Sequence, residues 1–341
     1  MGQTSSQLKP IALTSGEPAS AAPEITSKAW ATLKNETSAT FFLIGDADYF
    51  AARAAAAGFP LPVTRITRLG EASSHFQSSL PVLHRPLATH PTPGIIDGKT
   101  APAVIAAIDQ AVELALAGEV SAIVTNPIQK AALYSAGFKH QGHTDYLASL
   151  AAGHGHAAQE VMMLVAADLR AVPVTVHIPL KDVAAALTQN LIVAQGLAVA
   201  KGLKKYFGIS APRLACTGLN PHAGENGAMG REEQTIIAPA LKQLRDAGIN
   251  VSGPVSADTA FHEDARAGYD AILCMYHDQA LIPVKTLDFH GSVNVTLGLP
   301  FIRTSPDHGT ALGIAGTGKA SAQSLIAALR LASEMAANAR G

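Results

Sequence analysis

The chain has 341 residues, of which 48% are hydrophobic and 15% are charged. Because this length exceeds what one ordinary hydrophobic core covers, we expect about two domains. A formal net charge of -1 excludes a surface built to attract a polyanion, so we expect no nucleic-acid partner.

The sequence also indicates the compartment. The first residues lack a basic segment followed by an apolar core, which a secretory signal would have. No uninterrupted apolar run approaches the ~18 residues that a membrane helix needs. Cys216 and Cys274 lie inside apolar runs, at a spacing that fits neither a disulfide framework nor a zinc ribbon. We therefore expect a soluble cytoplasmic protein without a membrane partner.

In the first part of the chain, short apolar runs alternate with helical patterns. Glycine and proline at the ends of several patterns mark where helices begin and end. In chain order, the patterns predict a strand within 9–18, a helix over 22–33, a strand over 39–46, a helix over 46–59, a strand over 62–67, an irregular stretch over 78–100, a helix over 100–118 capped by Thr100, and a strand over 121–128.

The second part continues this alternation, and two of its strands, 161–166 and 169–180, are close enough to pair as a hairpin. Strands that alternate with helices favour an α/β fold with a largely parallel sheet. The remaining patterns predict a helix near 190–207, a strand over 212–218, a helix near 232–247, strands over 249–253, 269–278, 291–299 and 301–309, and a closing helix near 320–337.

Three apolar runs end at a histidine, at once or within a turn: His177, His222 and His277. In parallel α/β sheets ligands bind beyond the carboxyl ends of the strands, so neighbouring strands would bring the three imidazoles to one rim. Imidazole is the commonest side-chain metal ligand, and three protein ligands with an open position are typical of a catalytic site. The pattern therefore predicts a metal site.

Two carboxylates accompany these histidines. Asp278 directly follows His277, where it could orient a metal ligand or take a proton. Asp258 follows another short strand, and for this residue an N-cap of the next helix and a functional role remain equally open.

A second group of residues is basic and polar. Lys285, Asn294 and Arg303 follow the third histidine at short intervals, and His143 and Thr144 lie in "QGHTDYL", where Thr144 could cap a helix. Arg303 lies inside an apolar run and needs an anion there. That anion is a substrate phosphate or carboxylate, or one of the chain's own acids.

The segment "HGTALGIAGTGKA", His308 to Ala320, is rich in glycine. Its backbone N–H groups could receive an anion or lie against a nucleotide, although a simple loop before the last helix has the same composition. The chain has no GxGxxG after its first strand and no GxxxxGK[ST] motif, so we expect neither a Rossmann fold nor a P-loop.

Seven ordered motifs give the chain a family resemblance. They are "LTSGEPASAAPEI", "TNPIQKAALYSAGF", "GHTDYL", "HIPL", "GLNPHAGENGAMGREE", "YHDQALIPVK" and "VNVTLGLPFIRTSPDHGTALGIAGTGKA". Together they closely resemble the 4-hydroxythreonine-4-phosphate dehydrogenase family of pyridoxal 5'-phosphate biosynthesis, from about Pro10 to the final helix.

The resemblance implies a fold like that of isocitrate and isopropylmalate dehydrogenases, with two α/β domains around a cleft. An outer domain, 1–141 with 298–341, would carry an NAD-contacting loop. A central domain, 142–297, would carry the metal site and the interface of a homodimer, with the active site at that interface.

The resemblance also implies site residues, an NAD(P) cofactor and one divalent metal per site, which would be zinc, magnesium or cobalt. It assigns the metal to His177, His222 and His277, catalysis to Asp258, Asp278 and Lys285, the substrate to His143, Thr144, Lys285, Asn294 and Arg303, and the cofactor to His308, Gly309, Thr310 and Ala311. Three positions depart from the family pattern: Ser20 and Ala22 stand where glycines are usual, and Gly313 stands where an acidic residue is frequent.

The implied reaction is the oxidative decarboxylation of 4-phosphooxy-L-threonine, a small phosphorylated substrate, to 3-amino-2-oxopropyl phosphate and CO2. One alternative is a paralogous dehydrogenase that acts on another phosphorylated hydroxy acid, such as 4-phosphoerythronate, or on a dihydrodiol carboxylate. More distant alternatives are a metal hydrolase with three histidine ligands and a protein that binds a phosphorylated metabolite without turnover.

Overall fold

The computed structural model describes residues 8–157 and 159–340. It divides into two compact units: unit 1 is Met1–Glu160 with Leu299–Gly341, and unit 2 is Val161–Gly298. The sequence-based boundaries place 142–160 in the central domain, whereas this division places that segment in unit 1. The first seven residues, on which part of the expectation about a signal segment rests, lie outside the described residues.

The strands follow the predicted alternation with helices. They are β1 Ile11–Thr14, β2 Phe41–Gly45, β3 Val63–Ile66, β4 Leu80–His84, β5 Ile123–Thr125, β6 Val161–Ala166, β7 Leu169–Thr175, β8 Arg213–Thr217, β9 Asn250–Val255, β10 Ala271–Tyr276, β11 Val293–Leu297 and β12 Arg303–Pro306.

The helices between the strands vary from a single turn to five turns. They are α1 Ala22–Leu33, α2 Ala47–Ala56, α3 Ala72–His75, α4 Ala101–Leu116, α5 Lys130–Ser135, α6 His143–Gly153, α7 Val183–Ala186, α8 Gln189–Phe207, α9 Ala238–Asp246, α10 Glu263–Arg266, α11 His277–Leu287 and α12 Gln323–Asn338.

The strands of unit 1 are all parallel and lie in the order β3-β4-β2-β1-β5-β12. Parallel sheets are covered by helices on both faces, and every residue of β1, β2 and β5 is accordingly buried. One core cluster of this unit joins Phe42 and Ile44 of β2 to Val104 and Ile108 of α4. Because the strands are parallel, the loops that follow them all lie along the same edge of this sheet.

The strands of unit 2 are mixed, in the order β11-β6-β7-β10-β8-β9. β6 pairs antiparallel with β7 and with β11, which confirms the predicted hairpin, while β7, β10, β8 and β9 are parallel. The predicted α/β class is thus confirmed.

Two local predictions are wrong, and a third is confirmed with a difference in helix type. The stretch 78–100 is not irregular throughout, because Leu80–His84 forms β4 between β3 and β2; Pro81 and Pro86 hide this short apolar strand. Thr100 precedes α4 but makes no side-chain cap, since its hydroxyl donates to the carbonyl of Asp97 at 2.8 Å. The helix predicted near 232–247 opens with a π-helical turn, Glu233–Ile237, before α9.

Among the described residues, no single helix is long and apolar enough to cross a membrane. One bent pair, Leu180–Ala186 with Gln189–Phe207, meets the criteria of length and composition together. In the second helix of this pair, Ile192, Val199 and Leu203 are buried within unit 2, as in the core helix of a globular domain.

The loop after β1 begins at Gly16, whose φ of +66° would strain any other residue, and a Cβ there would lie 2.6 Å from the Cβ of Asn126. We expect Gly16→Ala to lower the free energy of unfolding by about 2 kcal/mol more than Gly58→Ala, because Gly58 shares the positive φ but has open space around it. Urea unfolding of both variants measures the difference, and equal losses would contradict this packing constraint.

Candidate active site

The three predicted metal ligands follow strands that are neighbours in unit 2. β10 lies between β7 and β8, and the three strands are parallel, so their carboxyl ends meet at one edge. His177 lies two residues beyond β7, His277 is the first residue of α11 directly after β10, and His222 lies in the turn after β8. The expectation that three neighbouring strands carry these residues is therefore met.

His177 and His277 lie side by side, with ring centroids 5.6 Å apart and planes tilted by 45°. Nδ1 of His277 lies 2.7 Å from Oδ1 of Asp278. Because a carboxylate only accepts, Nδ1 carries the proton and Nε2 is left with the free lone pair. The two rings line a cavity of about 300 Å³ together with Asp278 and Tyr276.

His222 lies in a left-handed turn. The φ angles of residues 222–226 are all positive, from 41° to 77°, and only one of the five residues is glycine. Left-handed backbone costs roughly 1–2 kcal/mol for each non-glycine residue, so other contacts must hold this turn.

Buried Glu233 supplies those contacts. Its Oε1 accepts the backbone N–H groups of Leu219 and Asn220, both at 2.8 Å, and its Oε2 accepts the side-chain amide of Asn220 at 3.0 Å. In place of hydrogen bonds from water, the carboxylate thus accepts three hydrogen bonds from the segment that leads into the turn. Sequence reasoning missed Glu233, since its spacing from the histidine carries no recognisable signal.

Buried Gln279 joins the ends of two of these strands, and sequence reasoning missed it too. Its Oε1 accepts from the hydroxyl of Thr217, at 2.7 Å, and from the backbone N–H of Met275, at 2.6 Å, while its Nε2 donates to the carbonyl of Gly218 at 2.9 Å. The amide therefore fixes β8 against β10 just before each strand delivers its histidine.

The donor chemistry at this edge suits a divalent metal. Two close imidazoles, one oriented by a carboxylate, are a common arrangement for zinc and similar ions. Within the described part of the chain, no group of three or more His, Cys, Asp or Glu side chains is close enough to hold an ion. The structure thus brings His177 and His277 together but does not bring His222 into a group with them, and His222 as third ligand stays a prediction.

Asp258 is not a helix N-cap. It lies inside a single turn, Ala257–Thr259, and α10 begins later, behind His262. A hydrogen bond from the Ser256 hydroxyl lowers the pKa of Asp258, with a smaller contribution from His222. Asp258 and Asp278 both line a second cavity, of about 420 Å³, and a functional role for Asp258 stays a prediction.

Two further predicted residues also lie in unit 2. Lys285 is on α11, and its Nζ is 3.3 Å from the hydroxyl of Ser292 and 5.3 Å from the ring centroid of Phe289. Asn294 is on β11, and its Oδ1 is buried without a hydrogen-bond partner among the described residues. A buried, unpaired acceptor is uncommon in native proteins and suits a residue that awaits a ligand.

In unit 1, Arg303 and His143 form a positively charged group. Arg303 is 3% exposed, and its Nη2 donates to the hydroxyl of Thr125 at 2.7 Å. Burial lowers the pKa of Arg303 to about 10, so the guanidinium remains charged at pH 7. Burial, followed by the charge of Arg303, holds the pKa of His143 well below its usual value, so this imidazole is neutral.

His143 and Thr144 are the first two residues of α6, whose N-cap is Gly142. Thr144 is therefore not the cap of this helix. The Nε2 atom of His143 is buried without a hydrogen-bond partner among the described residues. A helix N-terminus without a side-chain cap, next to a guanidinium, is a favourable place for an anion.

The glycine-rich segment His308–Ala320, which we call the cofactor segment, follows β12 in unit 1. Gly309 and Gly313 have open space where a side chain would lie, and Ala311 has a φ of +50°. The carbonyl of Thr310 accepts the backbone N–H of Ala21 at 3.2 Å. An exposed backbone of this kind fits a flat ligand such as a dinucleotide.

The loop after β1 explains one departure from the family pattern. Ser20 is buried, and its hydroxyl donates to the carbonyl of Glu17 at 2.5 Å and accepts from the backbone N–H of Ala22 at 3.0 Å. The side chain at position 20 is thus used inside its own loop and supports the start of α1.

Comparison with known proteins gives a consistent set of relatives. A family model described as pyridoxal phosphate biosynthetic protein PdxA matches residues 37–332. The 4-hydroxythreonine-4-phosphate dehydrogenase of Bradyrhizobium diazoefficiens is 53% identical over 337 residues, which cover 96% of this chain and 97% of that protein.

Solved structures agree with these relatives. The 4-hydroxythreonine-4-phosphate dehydrogenase from Klebsiella pneumoniae has a TM-score of 0.86 and 37% identity, covering 96% of this chain and 99% of that one. A terephthalate 1,2-cis-dihydrodioldehydrogenase from Burkholderia xenovorans LB400 has a TM-score of 0.63 and 28% identity, covering 96% and 98%.

The neutral state of His143 predicts a loss of stability in acid. Its pKa is lower in the folded protein than in the unfolded chain, so below pH about 6.5 unfolding takes up a proton and becomes easier, by up to about 1.4 kcal/mol per pH unit. We expect the free energy of unfolding of His143→Gln to fall less than that of the wild type between pH 7 and 5. Urea unfolding at pH 7, 6 and 5 measures this, with the exposed His154→Gln as control; identical slopes for wild type and His143→Gln would contradict it.

Proposed function

We propose that this chain, which belongs to the pyridoxal phosphate biosynthetic protein PdxA family, is a 4-hydroxythreonine-4-phosphate dehydrogenase. The observation that carries the proposal is the similarity, over 96% of the chain, to a protein of that name at 53% identity. The reaction is the oxidative decarboxylation of 4-phosphooxy-L-threonine with NAD(P), to 3-amino-2-oxopropyl phosphate and CO2, in pyridoxal 5'-phosphate biosynthesis.

Unit 2 supplies the proposed metal ligands His177, His222 and His277. A bound zinc, magnesium or cobalt ion would lower the pKa of the substrate hydroxyl and polarise the carbonyl of the product, while NAD(P) would accept the hydride. Asp278 fixes the tautomer of His277 so that Nε2 faces outward. Asp258, Asp278 and Lys285 are the groups that we assign to proton transfer.

Unit 1 supplies an anion site to which we assign the phosphorylated substrate. Arg303 is charged yet nearly inaccessible to solvent, so it lacks the hydration that an exposed guanidinium has. His143 and Thr144 add the N-terminus of α6. The phosphate would accept hydrogen bonds from Arg303, His143 and Thr144. We assign Lys285 and Asn294 of unit 2 to the same substrate.

The cofactor segment carries the proposed NAD(P) contacts, at His308, Gly309, Thr310 and Ala311. Its first residues are exposed or half-buried, and no side chain occupies the space beside Gly309 or Gly313. Gly313 also offers no carboxylate to a ribose hydroxyl, which is the group that an acidic residue binds in many NAD sites. We therefore propose that both NAD and NADP are accepted.

We also propose a homodimer that is formed by unit 2. Two segments of this unit, 176–180 and 282–289, carry six large apolar side chains that are exposed by 37% to 71%: Val176, Ile178, Leu180, Ile282, Leu287 and Phe289. Four of them lie close to the histidine pair: Ile178 and Leu180 line the cavity with His177 and His277, and Ile282 and Leu287 line the second cavity, which shares Asp278 with the first. Exposed apolar surface of this kind is typical of a protein–protein interface.

For the location we propose the cytoplasm. Both cysteines are free and fully buried, as expected for a protein that matures without disulfides. The near-neutral charge supports a small-molecule substrate and no nucleic-acid or membrane partner.

A second candidate is a paralogous dehydrogenase for a dihydrodiol carboxylate or for another phosphorylated hydroxy acid. The specific observation in its favour is the 28% identity and TM-score of 0.63 to the terephthalate dihydrodiol dehydrogenase. Of these two substrate classes, a dihydrodiol carboxylate lacks the phosphate that Arg303 and α6 are proposed to bind.

The function is tested with a substrate panel. The purified protein is assayed for NAD(P)H formation with 4-phosphooxy-L-threonine, 4-phosphoerythronate, unphosphorylated 4-hydroxythreonine and a cis-dihydrodiol carboxylate, with each of the three metals. The proposal requires the highest kcat/KM for 4-phosphooxy-L-threonine, with release of CO2. A higher value for any other compound assigns the chain to the second candidate.

The assignment of Arg303 predicts a selective loss. We expect Arg303→Ala to raise KM for 4-phosphooxy-L-threonine by about 100-fold, because a buried charge-assisted contact to the phosphate is lost, and to leave KM for NAD within twofold. With unphosphorylated 4-hydroxythreonine the substitution should have little effect. Steady-state kinetics with both substrates measure this, and equal effects on both substrates or on NAD contradict the role.

The proposed interface predicts a change in oligomeric state. We expect Leu180→Glu and Ile282→Glu to convert the dimer to a monomer, because each places a charge in apolar surface that the second copy would bury. Leu197→Glu is the matched control, since Leu197 lies in unit 2 and is exposed but belongs to α8. Light scattering after gel filtration measures the mass; a dimer that survives both substitutions would contradict the assigned face.

A further inference from the structure

Helix α1 carries two oppositely charged residues one turn apart, Glu24 and Lys28, and both bind the same distant segment of the chain. The carboxylate accepts backbone N–H groups of the cofactor segment, and the ammonium group donates to backbone carbonyls of that segment. Charged side chains on helices usually face solvent or pair with one another, so this use of both residues on one backbone segment is unusual.

Glu24 is completely buried. Its Oε2 accepts the backbone N–H of Gly318 at 2.9 Å, and its Oε1 accepts that of Gly316. The nearest guanidinium, that of Arg53, lies 3.8 Å from Oε1. Because a buried carboxylate is costly unless its oxygens are satisfied, the two glycine N–H groups are a large part of what holds the Glu24 side chain in this place.

Lys28 binds carbonyl groups of the same stretch of backbone. Its Nζ donates to the carbonyl of Gly318 at 2.8 Å and to that of Ala320 at 2.6 Å. The same atom lies 4.3 Å from the ring centroid of Phe59, a contact that fixes the side chain from its other flank.

Gly316 and Gly318 also pack closely against other parts of unit 1. Gly316 and Gly318 have φ angles of +82° and +71°, and a Cβ on them would lie 2.9 Å from Pro93 and 2.7 Å from the carbonyl of Ala57. At the other end of the segment, the N–H of Ala21, just before α1, donates to Thr310. The cofactor segment is thus held at Thr310 by the backbone just before α1, and at Gly316, Gly318 and Ala320 by α1 itself. These contacts fix the backbone on which His308–Ala311 lie.

We infer that Glu24 and Lys28 are positioning residues for the dinucleotide: they hold the cofactor segment in the conformation that binds it, without touching the ligand. The segment contains four glycines between His308 and Ala320, so without these bonds it would lose its shape, and binding would have to order it again. This inference rests on the proposed role of His308–Ala311 in contacting NAD(P).

The test measures dinucleotide affinity directly. In Glu24→Gln an amide N–H replaces one oxygen and faces a glycine N–H, so one bond becomes a repulsion between donors. Calorimetric titration of the full chain with NAD+ and with NADP+ should give dissociation constants at least about 10-fold higher than in the wild type, and KM for 4-phosphooxy-L-threonine should be unchanged. Lys28→Met keeps the aliphatic stem and removes the ammonium group, and we expect the same direction of change.

Two matched controls come from the same part of the chain. Glu36→Gln removes an exposed carboxylate that binds Arg330, and Lys34→Met removes a lysine whose Nζ lies over the ring of Trp30. Neither residue touches the cofactor segment, so both variants should bind NAD+ like the wild type.

A second measurement reports the segment itself. Lys319 is exposed and lies within the bound stretch, so tryptic cleavage after it should be slow in the wild type and faster in Glu24→Gln and Lys28→Met. Mass spectrometry identifies this cut, and excess NAD+ should slow it in every variant that still binds the dinucleotide.

The outcomes separate this inference from the proposed function. Wild-type affinity in both Glu24→Gln and Lys28→Met overturns the inference and leaves the dehydrogenase assignment in place. A wild-type chain that binds neither NAD+ nor NADP+ overturns both. If Glu24→Gln does not fold, Lys28→Met alone decides, since it leaves the buried carboxylate intact.

Discussion

The constraint on which the rest depends is the parallel pairing of β7, β10 and β8, which puts three strand ends at one edge of unit 2. The pairing is fixed there by side chains as well as by the sheet: the hydroxyl of Thr175 donates to the carbonyl of Met275 at 2.7 Å, and Gln279 joins the ends of β8 and β10. A shift of one residue in either pairing would turn each histidine to the opposite face. The chemistry proposed for His177 and His277 therefore depends on buried, uncharged residues that never meet a substrate.

Both units use the same device to shape their loops, a buried carboxylate whose oxygens accept hydrogen bonds from backbone N–H groups. Glu233 does this for the turn that carries His222, and Glu24 does it for the cofactor segment. Peptide N–H groups cannot rotate away as a lysine can, so each carboxylate fixes backbone position directly. Such support stabilises conformations that the backbone alone disfavours, such as the five successive positive φ angles at residues 222–226.

Most strands, the long helices and the positions of the three histidines at strand ends could be predicted from the sequence. They follow from apolar periodicity and from the rule that parallel strands end at one edge of the sheet. β4 could not be predicted, because Pro81 within it and Pro86 shortly after it are residues that are unusual in a strand of five residues. The sequence also could not reveal the left-handed turn at His222, because four of its five residues are not glycine and Ala223 and Glu225 rarely adopt positive φ. The partners Glu233, Gln279 and Glu24 act across contacts that no local pattern encodes.

The state of Arg303 bears on what unit 1 can recognise. A pKa of about 10 means that burial costs its charged form about 3 kcal/mol, yet the group keeps its proton at pH 7. A protonated neighbour would raise that cost, and His143 avoids this because its own pKa is depressed. The pair thus holds one positive charge, with a neutral ring beside it and a helix N-terminus at His143. If the substrate phosphate binds here, as we propose, it would compensate the guanidinium for its lost hydration, whereas a neutral ligand of the same shape would compensate it little. The proposed discrimination for a phosphate would then rest on desolvation rather than on the number of contacts.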